Sequence, residues 1–185
     1  MLTGHTSIQW LAGNLDVRPL VQQISCHPSV WNRHSARRAG YSPHLTLDDI
    51  WVRYNAIENL TSAQAFNEPH ESVWYSVVEE IPAVKTLVFD VMRWVQGERL
   101  GGVLITRIPP RGRCDPHIDE GWHARYYEKF AVQLAANEKQ SFCFEDAQLV
   151  TRPGDLYTFD NSRLHWVENP SDEARMTLII CIRRS

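Results

Sequence analysis

The chain has 185 residues, 43% of them hydrophobic, which suits one domain with a substantial apolar core. Nineteen Lys and Arg against 22 Asp and Glu leave a formal charge of -3, so nothing in the overall balance draws the protein to nucleic acid or to an anionic membrane. The opening residues lack a basic segment followed by an apolar run, and no stretch of about 18 apolar residues occurs, so neither export nor a spanning helix is expected.

Cys26, Cys114, Cys143 and Cys181 lie far apart without C-x-x-C spacing, which predicts reduced thiols in a cytoplasmic protein rather than a disulfide framework or a zinc knot. In chain order, Leu15, Leu20, Val21 and Ile24 fall near helical spacing, with Asn14 or Asp16 available as a cap and Pro28 as a stop. The polar, basic run "WNRHSARRAGYSPHLTLDD" reads as loop, and "DIWVRY" alternates like a strand, with Arg53 opposite Ile50, Val52 and Tyr54. Val84, Leu87, Val88, Val91, Met92 and Val95 then line one face of a helix expected to end at Gly97. From Gly101 onward, short β-type runs separated by turn residues indicate an antiparallel sandwich or jelly roll. The last run, "MTLIICIRR", is apolar on both faces, so a helix should cover one side of its sheet.

Chemistry concentrates in "CDPHIDEGWHARYYEKF". On extended backbone, His117 and Asp119 leave the same side of the chain and can share one ion. His165, near the start of the penultimate strand, is the candidate third ligand. Two imidazoles and a carboxylate on one face of an octahedral ion leave three positions open, the coordination used by non-haem Fe(II) oxygenases. Arg175 follows His165 by ten residues across the turn "NPSD". A hairpin there would set the guanidinium opposite His165, where a fixed cation calls for an anion such as a dicarboxylate.

Residues from about Gly101 to Arg184, through "PHID", "FDNSRLHWVENPSDEARMTLII" and "GGVLITRIPP", resemble the Fe(II)- and 2-oxoglutarate-dependent dioxygenases, specifically the aspartyl/asparaginyl β-hydroxylase-like group. The resemblance implies a mainly β protein with N-terminal helices, folded as a double-stranded β-helix: a jelly-roll, cupin-like antiparallel barrel. It implies one oxygenase domain over 1–185, with 1–100 as a mixed, partly helical support and 101–185 carrying the site. His117, Asp119 and His165 would bind Fe(II), and Arg175 the far carboxylate of 2-oxoglutarate. By position, Thr106 and Lys129 would take the supporting hydroxyl and basic roles. O2 would then drive hydroxylation of an unactivated C–H bond, coupled to decarboxylation of the 2-oxo acid to succinate. An aspartyl, asparaginyl or prolyl side chain, in a peptide or a small amino acid, is the implied substrate. Two departures stand out: animal members of the group have glycine where Asp119 stands, and a histidine that often follows the basic residue by two positions is Ala131 here.

Several residues keep two readings. His123 is either a ligand in place of His165 or, as preferred, a substrate contact. Arg53 is a surface strand position or a substrate-carboxylate contact, and Trp122 with its neighbouring tyrosines a lid or loop packing. Arg175 could instead pair with Glu168 or Glu173, and Glu120 reads as a solvated loop carboxylate. His5, His27, His34, His44 and His70 carry no expected role. A cupin-like non-oxidative metal enzyme, or a binding module without catalysis, are the alternatives to an oxygenase.

Overall fold

The computed structural model describes residues 7–34, 42–60, 62, 64, 65 and 68–185; the basic stretch at 35–41, expected as loop, lies outside them. Strands β1 (Ile8–Ala12), β2 (Asp48–Tyr54) and β3 (Val73–Trp74), with helices α1 (Arg18–Cys26) and α2 (Ala83–Trp94), come from the first hundred residues. Then follow β4 (Arg99–Ile108), β5 (Arg113–His117), the short helix α3 (Trp122–Tyr126), β6 (Glu128–Ala135), β7 (Ser141–Phe144), β8 (Gln148–Leu149), β9 (Leu156–Phe159), β10 (His165–Glu168) and β11 (Arg175–Arg183).

All strand pairs are antiparallel and form two sheets, a seven-stranded one ordered β1-β9-β6-β11-β4-β2-β3 and a four-stranded one ordered β5-β10-β7-β8. This is the expected double-stranded β-helix, built as two facing sheets that are not hydrogen-bonded into a closed barrel.

The large sheet is apolar toward the helices because side chains alternate along its strands. Met176, Leu178, Ile180 and Ile182 of β11 join Phe130, Val132 and Leu134 of β6 in one core with Leu20 and Ile24 of α1 and Val84, Leu87, Val88 and Val91 of α2. Each such side chain contributes about 1.5–3 kcal/mol of gross transfer free energy. The opposite face of the same strands looks into the space between the sheets, and there Ile179 and Cys181 line a cavity.

Three local expectations are corrected. Neither candidate caps α1: Val17 is its N-cap, Pro19 sits in its first turn, and the Asp16 carboxylate instead accepts from the Arg18 side chain at 2.7 Å and its amide at 3.3 Å. Gly97 does not provide the left-handed stop of α2; Gln96 does, with φ 56. What Gly97 provides is closeness, since a Cβ there would lie 2.5 Å from Ile182 Cγ2 and 2.9 Å from Met92 Sδ.

The third correction concerns the site. β10 and β11 are not a hairpin: β10 lies in the small sheet between β5 and β7, β11 in the large sheet between β6 and β4. The chain crosses between sheets at 169–174, stapled by Asn169, whose amide donates to Pro109 and Glu173 carbonyls at 2.8 Å each. The residues of "NPSD" signal a reversal, but turn chemistry does not specify which sheet receives the next strand.

Candidate active site

β5 ends at His117, which pairs directly with His165 of β10, their ring centroids 4.4 Å apart. Past the strand the alternation continues: Ile118 is exposed, and Asp119 turns back inward, its amide held by the Asn161 carbonyl at 3.0 Å. His117, Asp119 and His165 thereby offer ligand atoms that all lie within 4.8 Å of one another. Asp119 Oδ1 is 3.6 Å from His117 Nε2.

The tautomer of each ring follows from its backbone partner. His117 Nδ1 is 2.7 Å from the Asp115 carbonyl and His165 Nδ1 2.8 Å from the Arg163 carbonyl. A carbonyl oxygen only accepts, so both Nδ1 atoms carry the proton and both Nε2 lone pairs are left for a ligand. A backbone carbonyl behind each imidazole is the support that metal-binding histidines commonly have. Burial among Phe142, Phe144 and Phe159 depresses the basicity of His165 and keeps it neutral, as a metal ligand must be. Two such nitrogens and one carboxylate fit an Fe(II) ion with open coordination positions.

A β-bulge shapes this corner. Two residues of β5, Asp115 and Pro116, lie between its contacts with Val167 and His165, which have only Trp166 between them. Pro116, lacking an N–H, costs nothing at such a break. The extra residue turns both Cys114 and His117 inward, and Cys114 Sγ comes within 3.4 Å of His44 Nδ1 and 3.9 Å of His117 Nδ1. These three form a second group of potential ligand atoms within 4.8 Å of one another. Neither His44 nor Cys114 is marked by motif or spacing; only the bulge and the turn at 43–46 bring them there.

A cavity of about 370 Å³ runs between the sheets, its wall including Arg53, Thr106, His117, Asp119, His123, Lys129 and His165. Lys129 Nζ lies 3.3 Å from Asp119 Oδ2. Arg53 stacks over Trp74 at 5.2 Å and donates to the Gly101 carbonyl at 3.1 Å, and burial lowers its basicity; no carboxylate reaches it within ion-pair distance among the described residues. Glu120 is exposed at the rim. His123 is no ligand to the triad: its Nε2 accepts from the Gly102 amide at 3.0 Å, and burial lowers its pKa to about 3, so the ring is neutral. Trp122 does not line the cavity; it stacks on Tyr126 at 5.2 Å and packs edge-on behind His123.

Arg175 does not line the cavity wall either, and pairs in register with Ile108 rather than facing His165. Its side chain is 1% exposed; Nη1 donates to Thr151 Oγ1 at 3.2 Å and Nη2 to the Tyr157 hydroxyl at 3.5 Å. It pairs with neither Glu168, which accepts from Trp166, nor Glu173, which accepts from Asn137. Among the described residues no carboxylate lies within ion-pair distance of this buried guanidinium.

The model of the aspartyl/asparaginyl β-hydroxylase family matches residues 64–185. The chain belongs to that family. This aspartyl/asparaginyl β-hydroxylase family member is therefore an enzyme, a 2-oxoglutarate-dependent hydroxylase. No curated protein matches it in sequence. Among solved structures, a prolyl-4-hydroxylase of Pseudomonas putida superposes with TM-score 0.57 at 13% identity, over 97% of this chain and 94% of its own. A Trichoplax adhaerens prolyl hydroxylase, solved with a hypoxia-inducible-factor peptide fragment, gives TM-score 0.60 at 12% identity, covering 96% of this chain and 84% of that one. The 2-oxoglutarate complex of a viral collagen prolyl hydroxylase from Paramecium bursaria Chlorella virus 1 gives 0.54 at 11%, covering 100% and 99%. At such identities the three structures speak for the fold alone.

Proposed function

We propose that the protein hydroxylates an unactivated C–H bond of an aspartyl, asparaginyl or prolyl side chain, presented by a peptide or a small amino acid. The observation that carries this reading is the cross-strand pair His117–His165 with Asp119 beside it, two directed Nε2 lone pairs and a carboxylate on one wall of the cavity. These three residues hold Fe(II). When bound, iron, 2-oxoglutarate and O2 supply the oxidising chemistry, and the protein supplies position, charge and exclusion of water. Lys129, already on Asp119, offers its ammonium to the near end of the 2-oxo acid, while Arg175 and Thr106 serve the far carboxylate. Arg53 offers a guanidinium to an acidic group of the substrate, and His123, backed by Trp122, presents a neutral ring to it.

The same reading takes 1–185 as one oxygenase domain. Its support is that β1, β2 and β3 extend the sheet of β4, β6, β9 and β11, while α1 and α2 cover that sheet. A cytoplasmic setting accords with four cysteines all free of disulfides. Among the described residues no helix is long and apolar enough to cross a membrane. The test is mass spectrometry of an aspartyl, asparaginyl and prolyl peptide and amino-acid panel after aerobic incubation with Fe(II), 2-oxoglutarate and ascorbate. One added oxygen is expected with the wild type and none with His165→Ala. Equal products from both proteins would remove His165 from the site.

A further inference from the structure

The bulge at Asp115 and Pro116 gathers a thiol and two imidazoles on one wall of the cavity. Cys114 Sγ lies 3.4 Å from His44 Nδ1 and 3.9 Å from His117 Nδ1, and the two rings meet edge-on, their centroids 4.8 Å apart at 86°. We propose that His44, Cys114 and His117 form a second metal site, for a thiophilic divalent cation of the Zn(II) kind, and that filling it excludes iron from the neighbouring triad. The exclusion, though not the site itself, rests on His117 being an iron ligand.

Spacing and donor type carry the assignment. With Zn–S near 2.3 Å and Zn–N of about 2.0–2.1 Å, a sulfur and a nitrogen on one tetrahedral ion stand about 3.6 Å apart. The separations of 3.4 and 3.9 Å bracket that edge. The turn carrying His44 is tied to β5: the Asp115 amide donates to the Pro43 carbonyl at 3.4 Å, and the Thr46 hydroxyl to the Arg113 carbonyl at 3.3 Å. Leu47, Ile108 and Val167 pack around Cys114 and give the thiol an apolar backing. On coordination the thiol releases its proton to solvent, and the thiolate with two imidazoles selects Zn(II) over the harder ions that carboxylates suit. Three protein donors leave the fourth tetrahedral position for water or a small anion from the cavity.

His117 cannot serve both sites as a neutral ring. In the triad its Nδ1 keeps the proton, donated to the Asp115 carbonyl at 2.7 Å, and Nε2 is the ligand. The atom it turns toward Cys114 is Nδ1. To bind a metal there, the ring must release the Asp115 carbonyl and carry its proton on Nε2, because neutral imidazole has one free nitrogen lone pair. A ring held through Nδ1 therefore presents an N–H to the iron position.

The test is titration with Co(II), which gives a thiolate-to-metal charge-transfer band in the near ultraviolet only when sulfur is a ligand. The triad has no sulfur, so the band reports the second site. It should appear in wild type and in His165→Ala, be absent from Cys114→Ser, and survive replacement of exposed Cys26 by Ser or of cavity-lining Cys181 by Ala. His44→Ala should weaken Co(II) at least about 10-fold. Added Zn(II), which such sites prefer to Co(II), should abolish the band. Mn(II) at ten times its Kd for wild type should raise the Co(II) needed for half of the band about 11-fold, the factor 1 + [L]/Kd for exclusive sites. In His165→Ala the same Mn(II) should leave the titration unmoved. Melting curves confirm that each variant folds, and Asp119→Ala replaces His165→Ala if the latter does not. No band in wild type, or a band kept in Cys114→Ser, overturns the site. A wild-type band that Mn(II) does not shift overturns the exclusion alone and makes His117 a bridge between two ions. If Mn(II) binds wild type no better than His165→Ala, the iron reading fails and the exclusion with it, while the band still decides the site.

Discussion

His123 gives a quantitative handle on the site wall without touching the metal ligands. Its ring is buried between Tyr54, His70 and Tyr127, and desolvation first, then the Lys129 charge, lower its pKa from 6.5 to about 3. In the unfolded chain it titrates near 6.5. Between pH 6.5 and about 3 the unfolded state therefore binds a proton that the folded state refuses, and stability falls as the pH is lowered through that window. Above pH 6.5 neither state is protonated and this contribution is flat. The slope is about 1.4 kcal/mol per pH unit well inside the window, so a step from pH 6.5 to 5 removes roughly 2 kcal/mol through this one ring. The perturbation is His123→Gln, whose amide oxygen keeps an acceptor for the Gly102 amide. Urea unfolding of metal-free wild type and variant at several pH values between 4 and 7 isolates the effect. The other shifted groups, His34, His165 and the ion-paired Asp16, Glu80 and Asp146, are present in both proteins and cancel in the difference. The variant should lose stability toward acid less steeply than wild type by about 1.4 kcal/mol per pH unit. Parallel curves would show that the ring takes up its proton in the fold and would refute its being held neutral by burial.

Four further outcomes follow from individual contacts. Lys129→Met removes the ammonium beside Asp119, and the KM for 2-oxoglutarate should rise about 10-fold or more, with Mn(II) affinity measured separately to show that the triad survives. Asn169→Ala strips buried bonds to Pro109 and Glu173 carbonyls at the sheet crossover, so urea unfolding should show a loss of about 2–4 kcal/mol at unchanged m. Gly97→Val would drive a Cβ into Ile182 and Met92, costing about 1–3 kcal/mol in the same assay, whereas Gln96→Gly should stabilise, since it relieves a left-handed residue.

Much of the site was legible because its first part obeys strand alternation. His117 in, Ile118 out and Asp119 in is what two-residue periodicity gives, and the structure continues it one step beyond the end of β5. Helices α1 and α2 were legible for the same kind of reason, one apolar face at a 3.6-residue period. What escaped were features without local signal. The bulge at Asp115 and Pro116, which turns Cys114 toward His44, depends on how many residues of β10 oppose it. The placement of β10 and β11 in different sheets depends on which partner each strand finds, and so Arg175, expected opposite His165, was misplaced: it is buried in the large sheet, in register with Ile108.

A further signal lies in β6, "EKFAVQLA". A strand covered on both faces should be apolar on both. Phe130, Val132 and Leu134 meet that condition against the helices, yet Lys129 and Gln133 break it on the other side, as do Thr177 and Arg175 of β11 and Thr106 of β4. These five positions fall together because registered neighbours share a face: Thr177 pairs with both Gln133 and Thr106. Ordinary core packing holds few such groups, and here they are partnered: Lys129 lies on Asp119, Gln133 on Thr151, and Arg175 on Thr151 and Tyr157. Lys129 and Thr106 line the cavity between the sheets, so the polar face of these strands is the one turned toward the candidate site. The helix-facing residues of the same strands state the fold, and the inward ones state the chemistry.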